Sequence, residues 1–453
     1  MAKRLRRRTS GRLGRMDRGL VQSEHFPSFS IVYKRGYPRD RVVRRESRIM
    51  PEWGAGRVHS PSKSTIRSDG SARGLRTKAK HSREECYGNP GLRGVLQYNL
   101  GMIDGHATAE GTSTYAARFP EALGNGFYRD ANHWKVSSLG LGSYLGGLDE
   151  ETDIAYFASV IDAFRGGINF FDAAINYRHQ RSERAIGAAF RLLLRDGDAK
   201  REEFVVCTKA GFLTPGAIPE TGMVEEEIVR GTHCMLPDFL KDQVQRSREN
   251  FGLSSLDVYY LHNPETQLAS VERPEFLRRV RRAFEAMEWC VEQGWIRAYG
   301  TATWDGFRRR DPADPGLQLT ELVEIAKDVA GDEHHFRFIQ VPFNLGMVEA
   351  FAVQNQQGKG GLRSILGAAA ENGLHVVTSA SILQSRLSRD LPEQTKLIFP
   401  DAETDAQRAI QFARSAPQVV SALVGMSKQK HVAENLGLTR FAPMPSELFQ
   451  KLF

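Results

Sequence analysis

The chain has 453 residues, 62 of them Lys or Arg and 54 Asp or Glu, for a formal net charge of +8. That length admits one large α/β domain with extra material, or two to three smaller domains. No apolar run approaches the ~20 residues needed to span a bilayer, and the four cysteines, Cys86, Cys207, Cys234 and Cys290, are too far apart for a metal spacing or a disulfide framework.

The charge is uneven. Residues 1–100 hold 24 basic and 8 acidic residues, leaving 38 and 46 for the rest. The same hundred residues contain 18 Leu, Ile, Val and Phe. High net charge with few aliphatic side chains is the composition of a disordered segment. The basic cluster Arg4, Arg6, Arg7 and Arg8 admits a nucleic-acid arm, a membrane-surface arm or a transit peptide. Without aromatic interleaving or an amphipathic period, a solvated extension over residues 1–105 is the preferred reading, with a folded unit over 106–453. No secretory signal is legible, because the basic start lacks an apolar core. A cytoplasmic monomer is expected.

Beyond the Gly- and Thr-containing stretch Ile103–Thr114, strands and helices alternate. Val136–Tyr144 reads as a strand entering a Gly-rich loop, and Asp153–Arg165 has helical apolar spacing. Gly166 and Gly167 stop that helix, and Ile168–Asp172 is a short strand of the kind buried on both faces. The pattern continues with a helix over Ser182–Arg195, a strand over Glu203–Lys209 and a helix over Pro237–Phe251. Leu256–His262 is a strand, Glu275–Gln293 a long helix and Ile296–Thr301 a strand. A helix over Leu317–Val329, a strand over Phe336–Val341 and a helix over Gly361–Glu371 follow. The series closes with strands over Leu374–Ser379 and Val419–Gly425 and helices over Thr404–Ser415 and Lys428–Gly437. Eight such alternations imply parallel strands joined by helical crossovers, and a closed (β/α)₈ TIM barrel is the predicted fold. An open doubly wound sheet is the runner-up; no Gly-x-Gly-x-x-Gly follows the first strand to support it.

Polar residues at the C-terminal ends of barrel strands are where chemistry is built. Asp172 ends the second strand, Lys209 the third and His262 the fourth; Tyr177 lies in the loop after the second. Each has a bland reading: Asp172 as a helix cap, Tyr177 as surface packing, Lys209 as a solvated strand end, His262 as a satisfied histidine. Closure of a barrel would bring all four to one rim.

These residues carry a resemblance. From about Lys135 to Leu438 the chain is similar to the aldo-keto reductases. The matching stretches are Leu141–Tyr144, Gly167–Asp172 with Tyr177, Ser182–Gly187, Val206–Lys209, Asp257–His262, Ile296–Gly300, Val424–Ser427 and His431–Leu436. The resemblance implies a catalytic tetrad of Asp172, Tyr177, Lys209 and His262, and NADP as cofactor, with NAD as the other option. Reducing a carbonyl needs a hydride at carbon and a proton for the developing alkoxide. Tyrosine has an ordinary pKa near 10, and a neighbouring Lys⁺ is expected to lower it. Asp172 would hold Lys209 charged, and His262 would donate a hydrogen bond to the carbonyl oxygen.

The same resemblance implies cofactor contacts from Gly142, Ser143, Tyr144, Asp172, Thr303, Gln340 and Ser379, and from Gly425, Met426, Ser427, Lys428, His431, Glu434 and Asn435. Two positions depart from the family. Ala302-Thr303 stands where Ser-Asn is usual, and Ser379 where many members stack a tyrosine on the nicotinamide. The basic contacts to a 2′-phosphate are also replaced, by Gly425 and His431, with Lys428 and Lys430 close by. No metal site is expected: His334-His335 lacks further ligands, and Arg308-Arg309-Arg310 reads as a solvated loop face that could alternatively close on phosphate. The expected activity is NADP-dependent reduction of a small aldehyde, ketone or sugar-like carbonyl, with Tyr177 as general acid. The alternative is a nucleotide-binding regulatory or interaction subunit with little turnover. Phe212–Leu236, with its acidic run Glu225–Glu227, is the longest candidate loop, and its sequence leaves open whether it is a lid.

Overall fold

The computed structural model describes residues 101–311, 314 and 316–453. The expected extension therefore lies outside the described residues up to residue 100. Its last residues are tied to the folded unit: Ile103 N–H donates to the Gly252 carbonyl at 2.8 Å, and Ser254 N–H donates to the Ile103 carbonyl at 2.8 Å.

Helix α1 (Ala109–Ala117) is capped by Thr108, whose hydroxyl accepts from Gly111 N–H. A short α2 (Pro120–Gly124) leads into an antiparallel hairpin of β1 (Tyr128–Ala131) and β2 (Trp134–Ser137). The chain then alternates as β3 (Leu139–Gly142), α3 (Glu150–Arg165), β4 (Phe170–Asp172), α4 (Arg181–Arg195), β5 (Val205–Ala210), α5 (Pro237–Phe251), β6 (Leu256–His262) and α6 (Arg273–Glu292). It continues with β7 (Ile296–Ala302), α7 (Leu319–Ala330), β8 (Phe336–Pro342), a short α8 (Glu349–Ala352), the small hairpin β9 (Gln356–Gly358) and β10 (Gly361–Arg363), and α9 (Ile365–Glu371). Last come β11 (His375–Ser379), α10 (Gln394–Ile398), α11 (Asp405–Ser415), β12 (Val419–Gly425), α12 (Gln429–Leu436) and α13 (Ser446–Gln450).

Strands β3 to β8, β11 and β12 close into a parallel barrel, with β12 pairing back onto β3. The barrel strands are apolar runs because both faces are covered, one by barrel-filling side chains and the other by helices; all six residues of β5 are buried. The predicted (β/α)₈ barrel is thus the observed fold. Among the described residues no helix is long and apolar enough to cross a membrane.

Three expectations shift. The stretch Val136–Tyr144 is not one strand: the chain leaves β2 at Ser137 and enters the barrel as β3 at Leu139. Its hairpin partner was invisible because the turn, Asn132-His133, uses left-handed backbone without glycine (φ 46° and 63°). The expected helix over Gly361–Glu371 begins only at Ile365, where the Ser364 hydroxyl accepts from Gly367 N–H. Helix α1 also lies in a stretch read as irregular, because its apolar spacing is weak.

The hairpin closes the N-terminal end of the barrel. Trp134 is fully buried and stacks on Phe338, with ring centroids 6.0 Å apart. Its indole N–H donates to the Ala107 carbonyl at 3.0 Å. His375 Nε2 accepts from Asn132 N–H at 2.8 Å, which requires a neutral imidazole. Burial, with Arg337 and His133 adding to it, pushes His375 down to about 4.

The folded-state pKa of His375 lies below its unfolded value, so its contribution to stability is complete above about pH 6.5 and is lost as pH falls toward 4. The variant His375→Gln keeps an acceptor and cannot titrate. Melting temperatures measured from pH 7 to pH 4.5 should fall more steeply for the natural protein than for the variant; parallel curves would remove His375 from the account.

Candidate active site

Adjacent strands deliver three of the expected residues to one rim. Asp172 is the last residue of β4, Lys209 lies in β5 and His262 ends β6; β5 pairs with both neighbours, Asp172 standing opposite Cys207 and Lys209 opposite Tyr260. Lys209 Nζ donates to Asp172 Oδ2 at 2.6 Å and to the Ala173 carbonyl at 2.6 Å. Asp172 Oδ1 accepts from the Gln340 amide at 2.9 Å, so Gln340 joins the group from β8 across the barrel. The Ser143 hydroxyl donates to the Asp172 carbonyl at 3.0 Å, and Ser182 in turn donates to the Ser143 carbonyl at 2.7 Å.

Tyr177 comes from the loop after β4. Its ring centroid lies 4.8 Å from Lys209 Nζ, 5.0 Å from the Tyr144 ring and 5.8 Å from the His262 ring. The next three residues, Arg178, His179 and Gln180, all take left-handed backbone (φ 49°, 50° and 69°). Such conformations are costly for non-glycine residues and persist only where surroundings impose them. Arg178 supplies the restraint: Nε donates to the Gly147 carbonyl at 2.7 Å and Nη2 to Asp153 at 2.6 Å, while its guanidinium lies 5.5 Å from the Tyr156 ring centroid. A cleft of about 280 Å³ is lined by Tyr144, Leu145, Leu148, Asn176, Arg178 and Gln384; Tyr177, Lys209 and His262 do not line it.

The electrostatics favour protonated tyrosine. Burial pushes the Tyr177 phenol upward, and Lys209 opposes this without reversing it. The sequence-based expectation of a lowered pKa therefore counted the cation and missed the desolvation. Burial also raises Asp172 while Lys209 and Gln340 pull it back. Burial works against the Lys209 ammonium, yet Asp172 and Tyr177 raise it overall. A lysine bonded to a carboxylate at 2.6 Å stays charged. His262 is held well below its ordinary value by burial, then by Lys209 and His233, so its imidazole is neutral. Among the described residues its Nδ1 has no hydrogen-bond partner.

The remaining expected positions occupy the same rim. Gly425 stands beside Gly142 in the β12–β3 ladder, with Met426 and Ser427 following it. Lys428 precedes α12, which carries His431, Glu434 and Asn435 and has no side-chain cap at its N-terminus. Thr303 N–H donates to the Gln340 carbonyl at 2.9 Å, and Ser379 ends β11 beside Pro342. The His334-His335 pair lies at the opposite end of β8, where His335 Nδ1 meets Glu288 at 2.7 Å. Arg308 and Arg310 pair with Glu349, and Arg309 with Asp314.

Several groups escaped the sequence reading. Glu265, buried beyond β6, accepts from Trp304 N–H at 2.6 Å and is pushed up to about 7 by burial. It thereby anchors the loop that contains Thr303. His233 and Gln267 sit behind His262, and Arg279 binds the backbone of Glu226 and Glu227, so the loop over residues 211–236 is fastened to α6. Nothing in local spacing announces such contacts, and Glu265 lies past the strand end in the turn Pro264–Ala269.

The sequence pattern of the Aldo/keto reductase family matches residues 138–319. A probable voltage-gated potassium channel subunit beta from Arabidopsis thaliana is 25% identical over 329 residues, which is 68% of this chain and 89% of that protein. An NADH-specific methylglyoxal reductase from Escherichia coli is 25% identical over 184 residues, 39% of this chain and 51% of that protein. Among solved structures, an aldo-keto reductase from Klebsiella pneumoniae in complex with NADPH superposes with a TM-score of 0.50 at 19% identity, over 71% of this chain and 92% of that one. This last likeness is one of fold.

Removing the cation from the buried pair should expose its structural weight. Lys209→Met leaves the Asp172 carboxylate buried without its charge partner, a change that costs about 3–5 kcal/mol. Urea titration should show that loss, and a variant within 1 kcal/mol of the natural protein, on the order of ordinary surface effects, would refute the ion-pair assignment.

Proposed function

We propose, from the match of residues 138–319 to the Aldo/keto reductase family pattern, that the protein is an NADP-dependent oxidoreductase. In this reading it reduces a small aldehyde, ketone or sugar-like carbonyl to an alcohol, with Tyr177 as the general acid. The observation that carries the reading is the placement of a charged Lys209 between the Asp172 carboxylate and the protonated Tyr177 ring, with a neutral His262 imidazole edge-on to that ring at 5.8 Å.

The residues present fit a dinucleotide. The uncapped N-terminus of α12 offers free backbone N–H groups beside the exposed Lys428 and Lys430, a setting suited to phosphate. A side chain built at Gly425 would meet nothing within 4 Å, so the rim is open there. Gln340 and Thr303 would hold the nicotinamide end, with Ser143 and Tyr144 nearby. A bound nicotinamide supplies the hydride for the carbonyl carbon. The chain's own residues do the rest. His262 donates a hydrogen bond to the carbonyl oxygen and orients it. Tyr177 gives its proton to the oxygen as negative charge develops there. Lys209 stabilises the phenolate left behind, and Asp172 keeps Lys209 charged and aimed. Cytoplasmic residence belongs to the same reading and agrees with the buried free thiols Cys207, Cys234 and Cys290.

A second reading has its own support. The Arabidopsis relative is named as a channel subunit and is matched over 89% of its length, while Ala302 and Ser379 depart from the usual nicotinamide contacts. A nucleotide-binding regulatory subunit would bind NADPH tightly yet consume it with no member of a broad carbonyl panel. Following cofactor absorbance across such a panel separates the two.

Tyr177→Phe should lower carbonyl turnover by roughly 10²–10⁴-fold, the usual weight of a general acid, with the dissociation constant for NADPH nearly unchanged. Retention of about a third of the natural rate, with chemistry rate-limiting, would dismiss Tyr177 as the acid.

Cofactor choice gives a second measurement. A 2′-phosphate is best held by a bidentate arginine, and α12 offers lysines instead. Two exposed ion pairs of at most about 1 kcal/mol each correspond to a preference for NADPH over NADH of roughly tenfold to thirtyfold. Burial, then Lys430 and Lys428, hold His431 below its ordinary value, which diminishes any charge its imidazole brings to a 2′-phosphate. Equal affinities for the two cofactors would contradict the assignment.

A further inference from the structure

The two ends of the loop between β5 and α5 are joined beside His262. Leu213 N–H donates to the Thr232 carbonyl at 2.8 Å, and Cys234 N–H donates to the Gly211 carbonyl at 2.7 Å. Phe212 and His233 stand opposite one another in this short antiparallel contact. Between the joined ends and the barrel rim, the His233 imidazole is fully buried, with Nε2 2.8 Å from the His262 backbone carbonyl and Nδ1 2.9 Å from the Gln267 amide nitrogen.

The proton positions in this chain follow from one end. Arg279 can only donate, and its Nη1 lies 2.6 Å from Gln267 Oε1. The Gln267 amide oxygen therefore faces Arg279, and its NH₂ faces His233. His233 Nδ1 must accept, which puts the ring proton on Nε2 and makes it a donor to the His262 carbonyl. Burial pushes His233 down to about 4, so the neutral ring persists across the physiological range.

The His262 ring has no comparable anchor of its own. Its Nδ1 is buried without a partner among the described residues, and its ring is wedged edge-on between Tyr177 at 5.8 Å and Phe212 at 5.1 Å. Phe212 also packs at 5.1 Å on the His233 ring. Both constraints on His262, the grip on its backbone and the wall against its ring, thus meet at His233. Gly211 completes the device. Its φ is 159°, and a Cβ there would lie 2.6 Å from the His262 carbonyl oxygen and 2.7 Å from His233 Nε2. Only glycine leaves room for the hydrogen bond.

We propose that His233 is a positioning residue for His262: its Nε2–H, oriented by Gln267 and Arg279, fixes the backbone and ring of His262 so that the neutral imidazole presents its Nε2–H to the substrate carbonyl. The proposal rests on the reductase reading of the site. His233 touches no substrate; it acts through His262 alone. A single His262 tautomer, with the proton on Nε2, goes with the held position, because the buried Nδ1 has no acceptor among the described residues to receive a proton.

The test compares His233→Leu, His233→Gln and Gly211→Ala in the full chain with NADPH and a carbonyl that the natural protein turns over. His233→Leu should lower kcat about tenfold to hundredfold, the scale of a catalytic group displaced by about 1 Å, with the NADPH dissociation constant within about twofold. His233→Gln retains an N–H donor and should recover kcat to within about threefold of natural. Gly211→Ala should reproduce the leucine phenotype, and the double variant should be no worse than either single one. Nitrogen-15 spectra of the histidine rings supply a readout independent of turnover: one Nε2–H tautomer for His262 in the natural protein and in His233→Gln, and a mixture in His233→Leu. Unchanged kcat and spectra in His233→Leu would overturn the proposal, as would equal losses in the leucine and glutamine variants. A natural protein that reduces no carbonyl would defeat the reductase reading, while the spectra would still decide the role of His233.

Discussion

The buried Asp172–Lys209 ion pair is the constraint from which the rest of the rim takes its form. Two charges removed from water are tolerated only when geometry and added hydrogen bonds repay the desolvation. Here the lysine has a carboxylate and a carbonyl, each at 2.6 Å, and the carboxylate has a second donor in Gln340. Satisfying both ions draws in β4, β5 and β8, so the pair needs a closed barrel to exist. Tyr177 then finds a cation at its ring face in an otherwise desolvated place. The competition between the two leaves the phenol protonated.

The architecture was legible in the sequence because buried parallel strands write themselves as short apolar runs between helical periods. β6 and β12 match their expected spans, and the strand-end rule places Asp172, Lys209 and His262 on one rim. What stayed hidden had a common cause. The β1–β2 hairpin turns on Asn132-His133, and the loop after Tyr177 bends through Arg178, His179 and Gln180, all without the glycines that advertise left-handed backbone. Long-range restraint, not local preference, fixes those conformations, and a single sequence does not display it.

The site shows the same division. Asp172, Lys209 and His262 were visible as strand ends, whereas Gln267, Arg279 and His233 gave no sign. Their roles exist only as distances between a loop, a short helical turn and α6. Desolvation was equally hidden. Charge neighbours can be guessed from motif order, but burial requires the fold, and burial sets the direction of shift for both Tyr177 and His262.

The zipped ends of the loop after β5 carry a consequence for how such a barrel can change. Gly211–Leu213 and Thr232–Cys234 form a clasp, and His262 is gripped by the clasp itself, not by the residues it encloses. The stretch from Thr214 to Gly231 hangs from that clasp, yet its Glu226 and Glu227 carbonyls hold Arg279, the guanidinium that orients Gln267 toward His233. A change in the loop that moves those two carbonyls is therefore passed on through Arg279, Gln267 and His233 to the His262 backbone.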